Sequence, residues 1–154
     1  MKRKVLISVI GGHNSNDKVV KLAHNVGKIV AKVGAFLVCG GLYGVMQATS
    51  KGAKEAGGTT IGLIPGKDKG DANPYIDIVI ATTIGYARNA MVACSADIII
   101  ALPGSHGTLS EICYGMVYDK PIIDMGNWSR KGMIKVKGLK RLEVKLIELI
   151  KKIK

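Results

Sequence analysis

Residues 97–111 read DIIIALPGSHGTLSE. The apolar run from Ile98 to Leu102 is typical of a strand buried inside a parallel sheet, and it ends at Pro103 and Gly104. TLSEICYGMVYDK follows and predicts a helix that ends before Pro121. A buried strand that passes through a glycine loop into a helix is the repeating unit of an α/β fold.

The same order of strand, loop and helix recurs along the chain. Further strands are predicted within KVLISVIGG (4–12), AFLVCGG (35–41), TTIGLIPG (59–66), YIDIVIATT (75–83) and PIIDMG (121–126). Further helices are predicted at 16–34, 45–58, 87–96 and about 138–153. The pattern predicts one doubly wound, Rossmann-like domain over residues 1–154, with a parallel sheet and helices on both faces.

The net charge of +12 is concentrated at the C-terminal end of the chain. Ten of the 23 basic residues and only two of the 11 acidic residues lie in 130–154. The predicted last helix has an apolar stripe, which indicates a helix docked on the domain with a solvated lysine face. Nucleic-acid contact through that face is the lesser alternative, because one Phe and one Trp offer few stacking aromatics.

The chain contains no pattern typical of a metal site or a membrane anchor. Cys39, Cys94 and Cys113 are odd in number and form no CxxC or Cys/His cluster, so we expect three small buried thiols and no metal. The first apolar run, from Val5 to Ile10, is too short for a signal peptide or a membrane span. The sequence therefore predicts a cytoplasmic protein without a membrane partner.

The PGSHGT loop supports two interpretations. A glycine loop that opens a helix presents unpaired N–H groups and the positive end of the helix dipole, which together bind anions. Gly104 and Gly107 would let the backbone approach a phosphate, and the Thr108 hydroxyl would add a hydrogen bond. Alternatively, TLSE is a capping box in which Thr108 caps the helix and Glu111 bonds back to the backbone.

Arg88 favours the anion site. It lies at the start of a predicted helix, where the dipole opposes a cation, and its guanidinium can grip a phosphate. The GGLYG loop (40–44) is either a second wall of the ligand cleft or a plain turn, and it is not a P-loop. Ser8, His13, Asn14 and His106 are further polar candidates. These loops all follow predicted strands, so they are expected to converge at one edge of the sheet.

Three stretches resemble a known family. PGSHGTLSE is similar to the PGGxGTxxE signature of the Lonely Guy (LOG) or lysine decarboxylase-like family. CGGLYGVM and TTIGLIPG resemble the family's other glycine loop and strand, and Arg88 stands where the family has its functional arginine. The likeness runs from about Val5 to about Gly126 and is greatest for a short branch that includes molybdenum-cofactor carrier proteins.

The resemblance implies a set of site residues and two activities. LOG enzymes hydrolyse nucleoside 5′-monophosphates to the free base and ribose 5-phosphate, whereas a carrier would bind a pterin-type cofactor without turnover. Carried over, the catalytic residues are Arg88 and Glu111. The phosphate or nucleotide contacts are Gly12, Gly40, Gly41, Gly44, Arg88, Pro103, Gly104, Ser105, His106, Gly107 and Thr108.

Two positions depart from the family pattern. Ser105 replaces the second glycine of PGG, which would fit less well if a positive φ were required there. Asn89 follows Arg88 where the plant enzymes usually have lysine. We expect a small phosphorylated ligand, either a nucleotide or a molybdopterin-type compound, with no required cofactor. A homodimer or homotetramer is also expected, formed through apolar helix faces such as ICYGMVY.

Overall fold

The computed structural model describes residues 3–153 and contains one parallel sheet of seven strands. The strands are β1 (Leu6–Ile10), β2 (Phe36–Cys39), β3 (Thr60–Ile64), β4 (Ile78–Ala81), β5 (Ile98–Ala101), β6 (Ile122–Asp124) and β7 (Ile134–Lys135). Their order across the sheet is β4-β3-β2-β1-β5-β6-β7. The strand order runs in opposite directions on either side of the adjacent pair β1 and β5. The carboxyl ends of these two strands are therefore the topological switch point of the sheet.

Five helices cover the two faces of the sheet. They are α1 (Asp17–Lys32), α2 (Val45–Glu55), α3 (Arg88–Cys94), α4 (His106–Val117) and α5 (Leu139–Ile153). Side chains of α1, α2 and α5 share one apolar core with the sheet, and side chains of α3 and α4 share the other. The predicted doubly wound α/β fold is confirmed. Residues 1, 2 and 154, which the predicted domain includes, lie outside the described part of the chain.

The last helix is docked, as its apolar stripe predicts. Leu142 and Leu146 are fully buried, and Glu143 forms an ion pair of 2.8 Å with Lys32 of α1. The apolar face of α5 is therefore occupied by the protein core. Within residues 3–153, every helix is too short or too polar to cross a membrane.

Two expectations about this part of the molecule are wrong or incomplete. The thiols are not all buried, because Cys113 lies on the outer face of α4 and is exposed, while Cys94 is half-buried and Cys39 is buried. The strand β7 was not predicted. Its two residues carry no periodic pattern, and it exists because Ile134 pairs with Ile123 at the edge of the sheet.

Candidate functional site

A cavity of about 780 Å³ opens at the carboxyl ends of β1, β2 and β5, where the sheet reverses its direction of growth. This is the position at which open α/β sheets bind ligands, and the volume suits a small organic molecule. The lining residues are Val9, Ile10, Gly11, Gly12, His13, Asn14, Gly40, Leu42, Met46, Tyr86, Arg88, Asn89, Ser105, His106, Gly107, Thr108, Ser110, Glu111 and Tyr114.

Three loops are joined at the floor of this cavity by the backbone of Gly12. Its N–H donates to the Pro103 carbonyl at 2.9 Å, and its carbonyl accepts from the Val45 N–H at 3.0 Å. Gly44 has a φ of +66°, and a Cβ there would lie 2.0 Å from the His13 carbonyl oxygen. The loops after β1, β2 and β5 therefore form one continuous surface, as their places after the strands predict.

The PGSHGT loop leads into a helix end that no side chain caps. Helix α4 begins at His106 with Ser105 as its N-cap residue, and the Ser105 hydroxyl makes no capping bond. The N–H groups of His106, Gly107 and Thr108 have no acceptor among the described residues and lie at the positive end of the helix dipole. These three N–H groups, with Gly104 beside them, are called the α4 cradle below.

The capping-box interpretation of TLSE is wrong. Thr108 lies inside the first turn of α4 and not at its cap, so Glu111 has no exposed cap N–H to accept from. Thr108 instead packs against Gly104, where an added Cβ would lie 2.0 Å from the Thr108 hydroxyl oxygen and 2.9 Å from the Gly12 nitrogen. Ser105 has a φ of −126°, a conformation open to any residue, so serine fits in place of the family's glycine.

Arg88 lies beneath the cradle with only 5% of its surface exposed. One terminal nitrogen, Nη2, donates to the Gly40 carbonyl at 3.2 Å, and the other, Nη1, donates to the Asn89 side-chain oxygen. The third nitrogen, Nε, is buried without a hydrogen-bond partner. A buried donor without a partner is uncommon in proteins, and here it belongs to a side chain that lines the cavity.

Glu111 lies next to Arg88 and is 6% exposed. Its Oε1 is 4.0 Å from Arg88 Nη1, which is too far for a hydrogen bond, and no other described group bonds to the carboxyl. Burial raises the pKa of Glu111 to about 8, against the opposing charge of Arg88. Burial also lowers the pKa of Arg88, against the influence of Glu111. The carboxyl of the ligand-free protein is therefore largely protonated at neutral pH.

A polar chain connects Arg88 to the cradle. Asn89, which is 5% exposed, accepts from Arg88 and donates through its amide nitrogen to the Ser110 hydroxyl at 3.1 Å. Ser110 in turn donates to the Gly107 carbonyl at 2.6 Å. In the sequence, Asn89 is notable only as a departure from the family pattern, and Ser110 carries no signal. Their roles depend on contacts between α3 and α4, which leave no local signal in the sequence.

Asn73 is a further buried polar residue that was not predicted from the sequence. It is 2% exposed, and its side-chain amide donates to the carbonyls of Gly41 and Leu42 at 3.2 and 2.7 Å. The Asn73 N–H also donates to the Gly41 carbonyl at 2.8 Å. Asn73 therefore holds the GGLYG loop from the β3–β4 connection. The only signal was an asparagine before a proline in a polar loop, which is common in ordinary turns.

The candidate residues occupy three kinds of position. Those that line the cavity are Gly12, His13, Asn14, Gly40, Arg88, Ser105, His106, Gly107, Thr108 and Glu111. Gly41, Gly44, Pro103 and Gly104 shape the loops without lining the cavity. Ser8 lies elsewhere, because its buried hydroxyl donates to the Val92 carbonyl at 2.5 Å and joins β1 to α3. No cluster of three or more metal-ligating side chains occurs within residues 3–153.

An apolar surface borders the open side of the cavity. On the outer faces of α3 and α4 and in the turn before α3, Ile84, Tyr86, Met91, Tyr114, Val117 and Tyr118 are each at least 40% exposed. Tyr86 and Tyr114 belong both to this surface and to the cavity lining. An exposed apolar patch of this kind is typical of an interaction surface.

The amino-acid sequence matches a family model over most of its length. The model of the SLOG cluster4 family matches residues 4–152. This chain belongs to that family. The resemblance to the LOG-like superfamily is therefore confirmed over nearly the whole chain.

Relatives of this SLOG cluster4 protein have two kinds of name. The cytokinin riboside 5′-monophosphate phosphoribohydrolase of Mycobacterium tuberculosis is 32% identical to this chain over 123 residues. The aligned region covers 74% of this chain and 66% of that protein. The molybdenum cofactor binding protein of the phototrophic bacterium Rippkaea orientalis is 34% identical, with a TM-score of 0.86 and 99% of both chains covered. The molybdenum cofactor carrier protein of Chlamydomonas reinhardtii is 29% identical, with a TM-score of 0.88, over 97% of this chain and 99% of its own.

Proposed function

We propose that this protein binds a small phosphorylated ligand, with the phosphate on the α4 cradle and the rest of the molecule in the cavity below. The observation that carries the proposal is the uncapped N-terminus of α4 at the cavity that the cationic Arg88 also lines. Helix N-termini bind phosphate without a charged side chain, and the nearby guanidinium charge favours an anion further. Gly104 keeps the cradle close to the loop after β1, as described above.

Of the two activities, we favour binding and release of the ligand unchanged. Glu111 would have to be ionised to stabilise the positive charge that develops when a base leaves a ribose. With its pKa raised to about 8, the carboxyl is mostly neutral at pH 7 in the ligand-free protein. A neutral carboxyl can still accept or donate a hydrogen bond, which suffices for a carrier. The near-complete overlap with two molybdenum cofactor-binding proteins supports the same choice.

Hydrolysis of nucleoside 5′-monophosphates is the second candidate. It is supported by the adjacent Arg88 and Glu111 under the cradle and by the phosphoribohydrolase named among the relatives. In this case Glu111 would face the ribose and Arg88 would assist the phosphate or the departing base. A preorganised group of this kind is worth roughly 3 to 4 kcal/mol in the transition state.

One experiment separates the two candidates. The purified protein is incubated with a panel of nucleoside 5′-monophosphates, and free base and ribose 5-phosphate are assayed, alongside Glu111→Ala and the control Glu148→Ala. Glu148 is an exposed glutamate on α5, far from the cavity lining. Turnover by the native chain and by Glu148→Ala, but not by Glu111→Ala, would establish the hydrolase. No turnover, together with molybdenum that copurifies with the protein, is the result expected for a carrier.

The proposal includes a homo-oligomer formed through the apolar surface of α3 and α4. Val117 lies on this surface, is 72% exposed and does not line the cavity, so Val117→Asp should disrupt assembly without touching the site. Val144→Asp on α5 is the matched control, because Val144 is 67% exposed and outside that surface. Light scattering should give a multiple of the chain mass for the native protein and the control only. A monomeric native protein would contradict this part of the proposal.

A further inference from the structure

The Asn89 side chain bonds both to Arg88 and to the helix that carries the cradle. Its oxygen accepts from Arg88 Nη1, and its nitrogen donates to Ser110 on α4. Because Ser110 donates onward to the Gly107 carbonyl, the Asn89 amide is held at both ends and its oxygen stays directed at the guanidinium. This arrangement is independent of any ligand.

The position of the guanidinium is otherwise unexpected. An arginine beside a carboxylate in a buried site normally forms a two-point hydrogen-bonded pair with it. Here the nearest approach between Arg88 and Glu111 is 4.0 Å, and both terminal nitrogens of Arg88 are directed to other acceptors. Gly40 contributes a backbone carbonyl, so Asn89 is the only side chain among the described residues that holds Arg88 by a hydrogen bond.

We infer that Asn89 is a positioning residue that holds the Arg88 guanidinium away from Glu111, so that the site keeps a separate cation and a separate carboxyl instead of a closed ion pair. The charge of Arg88 and the carboxyl of Glu111 are then not committed to each other when a ligand enters. In a closed pair, each would satisfy the other, and a ligand would have to break that pair before it could bind.

The pKa of Glu111 depends on how close the Arg88 guanidinium lies to its carboxyl. A measured pKa of Glu111 therefore reports on the position of Arg88. The titratable groups around the carboxyl are Arg88 on α3, Cys39 at the end of β2, and Tyr86, His13, His106 and Tyr114, which line the cavity. Arg88 is the only one of these that carries a positive charge at every working pH. The distance and orientation of Arg88 therefore dominate any lowering of the Glu111 pKa by charge.

The test is a titration of Glu111 in the full chain without ligand. The chain has four glutamates, Glu55, Glu111, Glu143 and Glu148, so ¹³C NMR of the labelled side-chain carboxyls resolves each one, and Glu111→Gln assigns the signal. In Asn89→Leu, which removes the acceptor at similar size, Arg88 is released to pair with Glu111. The midpoint of Glu111 should then fall by about 1 to 3 pH units, the effect of an opposite charge at close range.

Two further variants separate positioning from a merely structural role. Asn89→Gln keeps an amide acceptor for Arg88 without a change of charge, so the midpoint of Glu111 should stay near the native value. Asn89→Met is also uncharged but offers no comparable acceptor, so it should behave like Asn89→Leu. A loss of packing alone would shift Asn89→Gln and Asn89→Met in the same direction. Equal Glu111 midpoints in these two variants would overturn the inference, including in the case that Asn89→Leu does not fold.

The inference rests on the proposed function only in treating Arg88 and Glu111 as ligand contacts. The midpoints are measured without ligand, so they can bear out the role of Asn89 even if no phosphorylated compound binds. The protein could instead bind adenosine 5′-monophosphate while the Glu111 midpoint stays the same in every Asn89 variant. That result would support the α4 cradle as the phosphate site and would contradict the positioning role of Asn89.

Discussion

The two glycine loops of the site look alike in sequence but differ in what they require of glycine. In GGLYG, Gly41 and Gly44 have φ values of +74° and +66°, and a Cβ on Gly40 would lie 2.6 Å from Arg88 Nη2. Gly41 and Gly44 are therefore unfavourable for other residues, whereas a side chain at position 40 would have to displace the Arg88 guanidinium. Asn73 additionally ties this loop to the β3–β4 connection through its bonds to Gly41 and Leu42.

The second loop, PGSHG, requires glycine at one position only. Gly104 packs against Thr108 and Gly12, but Gly107 has only an ordinary contact of 3.7 Å at its Cβ position, and Ser105 has a φ of −126°. The first loop is thus a structural joint built from backbone constraints. The second is a surface with free N–H groups, which is why a serine is tolerated there and why it suits a ligand.

The largest expected effect is the loss of stability in Gly44→Ala. The new Cβ would combine a positive φ with a backbone clash at 2.0 Å from the His13 oxygen. The free energy of unfolding should fall by about 3 kcal/mol or more in urea denaturation. Gly57→Ala is the control, because Gly57 has a φ of +75° but open space around it, and it should lose only about 1 to 2 kcal/mol. Equal losses of stability in Gly44→Ala and Gly57→Ala would mean that the close contact between Gly44 and the His13 carbonyl adds nothing to the effect of the positive φ.

The second effect concerns the carboxyl behind the cradle. The folded pKa of Glu111 is about 8 and its unfolded value is near 4.5, so the folded protein binds the proton more tightly. The stability attributable to this group is therefore full below pH 4.5 and is lost as the pH rises to 8, by on the order of 5 kcal/mol. Glu111→Gln should abolish this decline in thermal or urea unfolding curves. A decline of the same size in the variant would assign it to another group.

The stability change expected between pH 4.5 and pH 8 has no contribution from Glu55, Asp77 or Glu148. Their carboxyl pKa values are lowered, with hydrogen-bonding partners His24, Lys54 and Lys145 among the causes. Such groups contribute stability above their unfolded pKa values and lose it only as the pH falls toward their folded values. Their effect lies below about pH 4.5, on the acid side of the change expected for Glu111.

A smaller effect is expected on the cradle itself. Gly104→Ala would displace Thr108 and crowd the Gly12 nitrogen, so it should reduce the affinity for adenosine 5′-monophosphate at least about tenfold, or 1.4 kcal/mol. Gly66→Ala, outside the cavity lining and with no contact shorter than 3.5 Å at its Cβ position, should bind nearly as well as the native chain. Calorimetric titration measures both, and a similar loss in the two variants would place the phosphate elsewhere.

The smallest effect is expected for Ser105→Gly, which restores the glycine of the family signature. The Ser105 hydroxyl makes no capping bond and its φ suits any residue, so stability should change by no more than about 0.5 kcal/mol. Affinity for adenosine 5′-monophosphate should stay within a factor of two or three of the native value. A large gain in affinity would show that serine obstructs the cradle.

The sequence was sufficient for the fold because strand and helix periodicities are local properties. The apolar runs that became β1, β2 and β5 and the stripe on α5 depend on spacing within a few residues. The convergence of the glycine loops followed from the rule that parallel strands share their carboxyl edge. β7 could not be predicted in this way, because two residues have no period.

The polar architecture of the site was less predictable. Asn73, Asn89 and Ser110 act through partners that are distant in sequence or on another helix, and each could equally have been a solvated surface residue. The choice between a cradle and a capping box at Thr108 depended on whether α4 begins at His106 or three residues later, at Leu109. Helix boundaries are uncertain by that amount when they are assigned from sequence.

The backbone of Gly12 has a consequence for the order of folding. Its two hydrogen bonds, to Pro103 and from Val45, join chain segments that are far apart in sequence. Closing such a long loop is entropically slow, so the contact between β1 and β5 is expected to form after the local pairing of β1 with β2. A growing chain that ends before α4 has no cradle at all. Ligand binding would therefore stabilise only chains in which the loops after β1, β2 and β5 have already come together.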